Sequence, residues 1–492
     1  MLEKFKNIKT WHIIVIILGA IFMLIGAFHS NIWFDEAYTV GLVRHSFLDI
    51  IKIGIHDVHP LFYYLILRLF TIFTGDSIIA MRIFSILGMV LLSILGYTHI
   101  RKDFGEKTGL IFSFLVSFLP VTLAYSNEIR MYSWTAVFVL LTGIYAYRIT
   151  KENSIKNWIL FSIFSLFSAY THYFATIAIG LINLILFIYV IKNRQQEKII
   201  VKWITSAVTQ IILFIPGLLV LAFQAFRVAG GFWINIKYPD ILLDILKFNF
   251  IGEVTKNWIS IFVLVFASLL FIYLIVKSIL EYKKDKTKIT VPILSGCVYL
   301  GVIILTLLIS FKMQDIFTTR YTIPMLGLLI LFIAYVLSIS NNKITAVICA
   351  IIIALSINNS VIFFSKNYDK SNMQLSNIIN EKVEKDDIFV YSEIGLGSII
   401  AEYYPDNKQY FYNAEHWTVE EAYKAFAPQM ETIEDLGKIE DFKGRIWVID
   451  GDNNKMYDII SKYSNAVIIK EQEKINTSYR NTNWIISLIE KK

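Results

Sequence analysis

The strongest constraint on this chain is the recurrence of apolar runs close to 20 residues long. They lie near 12–29, 78–98, 108–124, 133–149, 158–171, 174–191, 200–222, 258–277, 289–311, 321–339 and 344–362. A helix rising about 1.5 Å per residue crosses about 30 Å of hydrocarbon in about 20 residues. Within lipid, every backbone N–H and C=O must be satisfied inside the structure, so long unbroken apolar runs fold as helices. The pattern predicts an all-α polytopic membrane protein with eleven transmembrane helices. Composition points the same way. Of 492 residues, 56% are hydrophobic and 17% charged, with a mean hydropathy of +0.58; soluble domains carry about 25% charged residues. A soluble globular chain, a disordered chain and a disulfide scaffold are excluded. Both cysteines, Cys297 and Cys349, sit in apolar runs, which removes a disulfide framework or a Cys-based metal site.

The first run is too long for a leader's apolar core, and polar His29, Ser30 and Asn31 follow it instead of a small-residue cleavage site. The segment 61–74 (LFYYLILRLFTIFT) is apolar but short and interrupted by Arg68, so it is expected to lie on the membrane surface. Basic residues set the orientation. Lys4, Lys6 and Lys9, then Arg101, Lys102 and Lys107, Arg148, Lys151 and Lys156, Lys192, Arg194, Lys198 and Lys202, and Lys283, Lys284, Lys286 and Lys288 all fall on the N-terminal side. That side is expected to be cytoplasmic. The loops 30–77, 125–132, 172–173, 223–257 and 312–320 then face outward, and eleven spans leave the C-terminus outside as well.

Composition changes after Phe364. Residues 365–492 hold 16 Lys and Arg against 22 Asp and Glu, a net of −6, so with a chain total of +7 the preceding residues carry +13. The excess is a topology signal in short loops, and nucleic acid is not an expected partner. Short β-rich runs at 388–392, 409–413, 445–450, 465–470 and 484–489 alternate with helical stretches. They predict a small C-terminal extracytoplasmic α/β domain over 365–492, following a multi-span transmembrane domain over 1–364 that includes the outer loop 30–77. Gly395 and Gly397 form an isolated GxG, to which no nucleotide is assigned.

The outward loops hold the residues that suggest chemistry. Asp35 and Glu36 follow the first span among Trp33, Phe34 and Tyr38, which belong at headgroup depth. A carboxylate partly desolvated there becomes a better base. His59-Pro60 precede the short aromatic helix. Glu128, Arg130 and Tyr132 share the next outward segment, Arg82 opens the second span, His172 and Tyr173 form a tight outer turn, and Arg320 and Tyr321 open the tenth span. Each has a plain structural explanation as a snorkelling arginine, belt tyrosine or polar turn residue. As a set on one face they point to chemistry at the outer interface on a lipid-linked substrate. The spans are nearly free of charge, which argues against an ion-coupled transporter.

In chain order, Asp35-Glu36, His59-Pro60, Arg82, EIRMY (128–132), THYFA (171–175) and RYTIP (320–324) resemble glycosyltransferase family 39. These are membrane enzymes of the GT-C fold related to the protein O-mannosyltransferases and the lipid A aminoarabinose transferases. The resemblance covers about 1–340 and leaves the C-terminal domain unassigned. It implies transfer of a sugar from a polyprenyl-phosphate donor to an extracytoplasmic acceptor (protein, lipid or envelope glycan), with inversion. Asp35 would deprotonate the acceptor hydroxyl and Glu36 would orient the acceptor or tune its neighbour. Many members have HPP where this chain has His59-Pro60-Leu61. Departure of a lipid phosphate needs cations and no general acid. Arg82, Arg130 and Arg320 would supply them, with His59, Glu128, Tyr132, His172, Tyr173 and Tyr321 contacting donor or acceptor. No His/carboxylate cage stands out, so no metal or other cofactor is expected. The rival readings are a transporter or flippase of lipid-linked sugars, and a membrane scaffold whose α/β domain binds a partner.

Overall fold

A computed structural model describes residues 2–29, 31–228, 234–252, 257–368, 382–413, 424–425, 430–451, 455–477 and 482–492. Ser30 and parts of the segment 223–257, expected to face outward, thus lie outside the described residues. The chain divides into two compact units. One comprises Met1–Ala27, Val58–Tyr63 and Arg82–Ile362, and the other Phe28–Asp57, Tyr64–Met81 and Phe363–Lys492.

The first unit's regular structure is helical among the described residues. Among the described residues, eight helices are long and apolar enough to span a membrane, and nine if one bent pair is a single span. This is fewer than the eleven expected, for identifiable reasons. The run at 108–124 is broken into Glu106–Phe118 and Pro120–Ser126, bent by 59°. Pro120 has no N–H to donate and pushes Leu119 into an extended conformation (φ −66°, ψ 136°). The runs at 133–149 and 158–171 do form helices, Tyr132–Lys151 and Ile155–Thr171, but neither meets the requirement. The second has only 17 residues. The first is diluted by hydroxyl residues, of which Thr135 and Thr142 donate back to the carbonyls of Met131 (2.8 Å) and Phe138 (3.0 Å). Helix Thr319–Ser338 is the most enclosed, with 89% of its apolar window buried, whereas only 6% of Ile199–Arg227 is. The latter's apolar side is available to lipid.

Close helix contact in this unit depends on small residues, as it does generally where lipid and side chains are equally apolar. A Cβ on Gly96 would fall 2.1 Å from Ser113 Oγ, and one on Gly19 would fall 2.3 Å from Ser117 Oγ. The same seam carries buried hydrogen bonds, with His12 Nε2 2.7 Å from Ser113 Oγ and Ser113 Oγ donating to Ser93 O at 2.6 Å.

The second unit contains a six-stranded sheet in the order β3-β2-β1-β4-β6-β5. Its strands are β1 Ile388–Tyr391, β2 Lys408–Tyr412, β3 Met430–Ile433, β4 Gly444–Asp450, β5 Ala466–Thr477 and β6 Thr482–Lys491. The first four run parallel, and β6 and β5 close one edge antiparallel. Every residue of β1 is buried, as a central strand covered on both faces requires. Helix Ile394–Tyr403 connects β1 to β2. The expected α/β character is therefore present. The sequence pattern missed β3, a four-residue strand with little alternation, and stopped β5 short of its polar end.

Candidate active site

Asp35 and Glu36 belong to the second unit, in which they open a helix, Phe34–Arg44, that the sequence pattern had left as loop. Trp33 is extended (φ −120°, ψ 175°), and no proline interrupts the eleven residues that follow. Both carboxylates occupy the first turn, where unpaired N–H groups and the helix dipole favour negative charge. Glu36 is only 1% exposed, and Asp35 is half-buried beside it. Tyr38 meets Tyr64 edge-to-face at 6.1 Å, and Tyr64 donates to Asp57 Oδ2 at 3.3 Å. These contacts seat the helix against the segment that begins Phe62–Thr74.

The other predicted residues belong to the first unit, and most converge on His172. This residue caps helix Tyr173–Lys192, its Nδ1 accepting the Phe174 N–H at 3.1 Å. In the neutral ring that leaves the proton on Nε2. Nε2 is buried and has no hydrogen-bond partner among the described residues. Burial holds the His172 imidazole well below the usual histidine range, and the positive charges of Arg130 and Arg320 push the same way. Around the ring stand His59 at 6.4 Å, Tyr132 at 5.9 Å and Tyr321 at 5.2 Å. Arg130, 2% exposed, donates through Nη2 to the His59 ring, 3.1 Å from Nε2. The hydroxyl of Tyr132, like His172 Nε2, is buried without a partner among the described residues. Arg320 lies with its guanidinium carbon 5.9 Å from the Tyr321 ring centre. Arg82 and Glu128 are buried in the same unit.

Two residues that the sequence reading passed over belong to this cluster. Gln224, 2% exposed, donates to the His59 carbonyl at 3.2 Å and accepts from Tyr173 OH at 2.6 Å. It therefore ties the His59 loop to the helix that begins at Tyr173. Its signal was a lone amide in the apolar run GLLVLAFQAF. Lys247, on helix Asp240–Ile251, faces a cavity of about 440 Å³ that Arg320 also lines, together with Tyr125, Ser260, Thr318 and Thr319. That volume falls within the roughly 300–1,000 Å³ of small-molecule sites. Asp244, at 2.9 Å, partners Lys247. Tyr125 packs edge-on against Tyr132 at 5.4 Å, so the cavity wall is continuous with the His172 cluster. No group of His, Cys, Asp and Glu able to hold a metal occurs among the described residues.

Buried arginines, imidazoles and phenols gather in the first unit, a set of groups that suits an anionic, polyhydroxylated molecule; the carboxylate pair belongs to the second unit. The comparisons with known proteins agree. Residues 58–220 match the family model described as dolichyl-phosphate-mannose-protein mannosyltransferase. The chain is similar in structure to ArnT from Cupriavidus metallidurans in the apo state, with a TM-score of 0.65 and 8% identity over 98% of this chain and 97% of that one. It is similar also to the same protein bound to undecaprenyl phosphate, with a TM-score of 0.61 and 10% identity over 98% of each chain. No curated protein matches it in sequence. The fold defines a class, the multi-pass membrane proteins of the GT-C architecture with a small C-terminal sheet domain. Within that class, the chain is a membrane glycosyltransferase similar to family 39.

Proposed function

We propose that this chain transfers a sugar from a polyprenyl-phosphate-linked donor to a hydroxyl of a protein, lipid or envelope glycan at the outer face of the cell membrane. Its N-terminus is then cytoplasmic, residues 1–364 form the catalytic domain, and residues 365–492 lie outside. The name of the matched family, a dolichyl-phosphate-mannose enzyme, and the undecaprenyl phosphate carried by one structural neighbour support such a donor. The observation that carries the reading is the pair of buried donors, His172 Nε2–H and Tyr132 O–H, set among Arg130, Arg320 and His59. Such groups suit sugar hydroxyls and phosphate oxygens.

The acceptor oxygen attacks the anomeric carbon while the bond from that carbon to the phosphate oxygen breaks. The electron pair leaves on the lipid phosphate, and the acceptor proton passes to the Asp35 carboxylate. Glu36 orients the acceptor beside Asp35. Arg82, Arg130 and Arg320 neutralise the charge that grows on phosphate. Tyr132, His172, Tyr173, Tyr321, His59 and Glu128 place the sugar and its phosphate. Because the leaving group is a weakly basic anion, one carboxylate and several cations suffice, unlike the two-carboxylate arrangement of soluble glycosidases.

The test is transfer by purified protein in lipid nanodiscs, paired with mass spectrometry of glycolipids, envelope glycans and secreted proteins with and without the gene. Asp35→Asn is expected to lower transfer by about 10²–10⁴-fold, the usual contribution of a general base, without loss of folded protein. Unchanged transfer in that variant would remove Asp35 as the base. Movement of intact lipid-linked sugar without any transfer would favour a flippase.

A further inference from the structure

We infer that the C-terminal domain serves as a clamp for the helix bearing Asp35 and Glu36, with Glu402 as its positioning residue; this rests on the role proposed above for that acid pair. The second unit joins Phe28–Asp57 and Tyr64–Met81 to Phe363–Lys492 although the first two precede the last by more than 280 residues in sequence. Helix Phe34–Arg44 packs on helix Ile394–Tyr403, and both ends of the segment that carries the acids are tied down.

At the N-terminal end, Asn31 Nδ2 donates to the Asn367 carbonyl at 2.9 Å, and the Phe28 N–H donates to Tyr368 OH at 3.1 Å. The His29 ring meets Phe363 and Tyr368 edge-on at 6.1 and 5.8 Å. At the C-terminal end, Arg44 Nη1 lies 2.6 Å from Glu402 Oε1, with the Glu402 side chain only 5% exposed. Arg44 Nε also lies 3.5 Å from Asp76, which is 58% exposed. His45 Nε2 donates to the Ala425 carbonyl at 2.8 Å.

The buried member of this arrangement is Glu402. An exposed pair such as Arg44–Asp76 holds little, whereas a carboxylate withdrawn from water depends on its partner, and its loss leaves a buried charge. Arg44 is the last residue of the helix whose first turn holds Asp35 and Glu36, and a helix of eleven residues transmits a fixed end as a nearly rigid rod. Catalytic groups must be held within about 0.5 Å and 10–20° of their working geometry. A clamp at each end of an outer-loop helix meets that need, which a loop alone does not. It also gives the sheet domain a task more specific than solubility.

Two measurements on the full chain in nanodiscs test the clamp. In Glu402→Ala, amide exchange across Phe34–Arg44 is expected to accelerate at least tenfold while exchange in Leu326–Ser338 stays unchanged. With the same variant, kcat should fall by about 10- to 100-fold, the scale of a catalytic group misplaced by about 1 Å, and KM for the lipid-linked donor should stay within about twofold. Glu402→Gln, whose amide oxygen can still accept from Arg44, should recover most of both. If Glu402→Ala fails to fold, Arg44→Gln takes its place in the same exchange measurement, and faster exchange there than in wild type supports the clamp. Wild-type exchange at Phe34–Arg44 in all variants, or a change confined to donor KM, would overturn it. Absence of transfer by the wild type would instead refute the proposed reaction, and the exchange result would still decide the clamp.

Discussion

Replacing Tyr132 by Phe should move stability and activity in opposite directions. The residue is 1% exposed, and its hydroxyl has no hydrogen-bond partner among the described residues. The ring is held independently, against Tyr125 at 5.4 Å and His172 at 5.9 Å, so removal of one oxygen leaves the packing intact. A buried hydroxyl left unpaired costs about 1–3 kcal/mol. Tyr132→Phe is therefore expected to stabilise the protein without substrate by about that amount, a rise of a few degrees in melting temperature. If the hydroxyl donates to a sugar or phosphate oxygen in the reacting complex, its loss removes a bond worth about 1.5–3 kcal/mol to a charged acceptor. That corresponds to a fall of roughly 10- to 100-fold in kcat/KM. Thermal unfolding followed by intrinsic fluorescence in detergent, alongside initial rates of sugar transfer, measures both. A lower melting temperature would show that the hydroxyl already has a partner in the resting protein. Unchanged kcat/KM would show that it does not contact the substrate. Either result refutes the reasoning that links burial to function at this position.

Two other predictions follow from polar groups away from the acid pair. Gln224→Leu removes the link between Tyr173 OH and the His59 carbonyl; it should destabilise by about 1–3 kcal/mol and lower transfer, whereas Tyr173→Phe, which breaks half of the link, should do less of both, and equal effects of the two in thermal and rate assays would count against a relay. Burial raises Glu402 to about 7, opposed by Arg44 and assisted by the negative charge of Asp76. The folded protein then binds this proton more tightly than the unfolded chain, so Glu402 contributes stability that is fully present below about pH 4.5 and is lost as pH rises to about 7, on the order of 3 kcal/mol. Acid relieves the buried charge even as it removes the pairing with Arg44. The wild-type minus Glu402→Gln difference in unfolding free energy should therefore fall with pH across that window, and a flat difference would exclude the shift.

Much of the site was legible because polar residues are costly near a bilayer and stand out against apolar sequence. Arg130, Tyr132, His172, Arg320 and Tyr321 were all marked by that contrast, and the structure gathers them around one imidazole. Gln224 escaped because a single amide in a span has a plain reading as helix–helix glue. Lys247 escaped because a lysine between apolar runs is ordinarily solvated; the cavity that it shares with Arg320 gives it meaning. The helix that starts at Phe34 was hidden by its mixed composition, which has little amphipathic period. The bend at Pro120 was visible as a proline, but its size was not.

What the sequence determined by itself was a multi-pass helical membrane protein with an acidic α/β tail and a set of polar residues between its apolar runs. Those properties arise from transfer energies summed over about 20 neighbouring residues, so they are written locally. The tertiary structure alone decided that Asp35 and Glu36 ride on the unit of the C-terminal sheet. It also decided that Arg44 is held by Glu402, and that His172 presents an N–H, beside a phenol, with neither paired among the described residues. Each depends on side chains far apart in the chain, Phe28 and Tyr368 being separated by 340 residues. No local pattern encodes such a pairing, because its free energy exists only once the elements between them have packed.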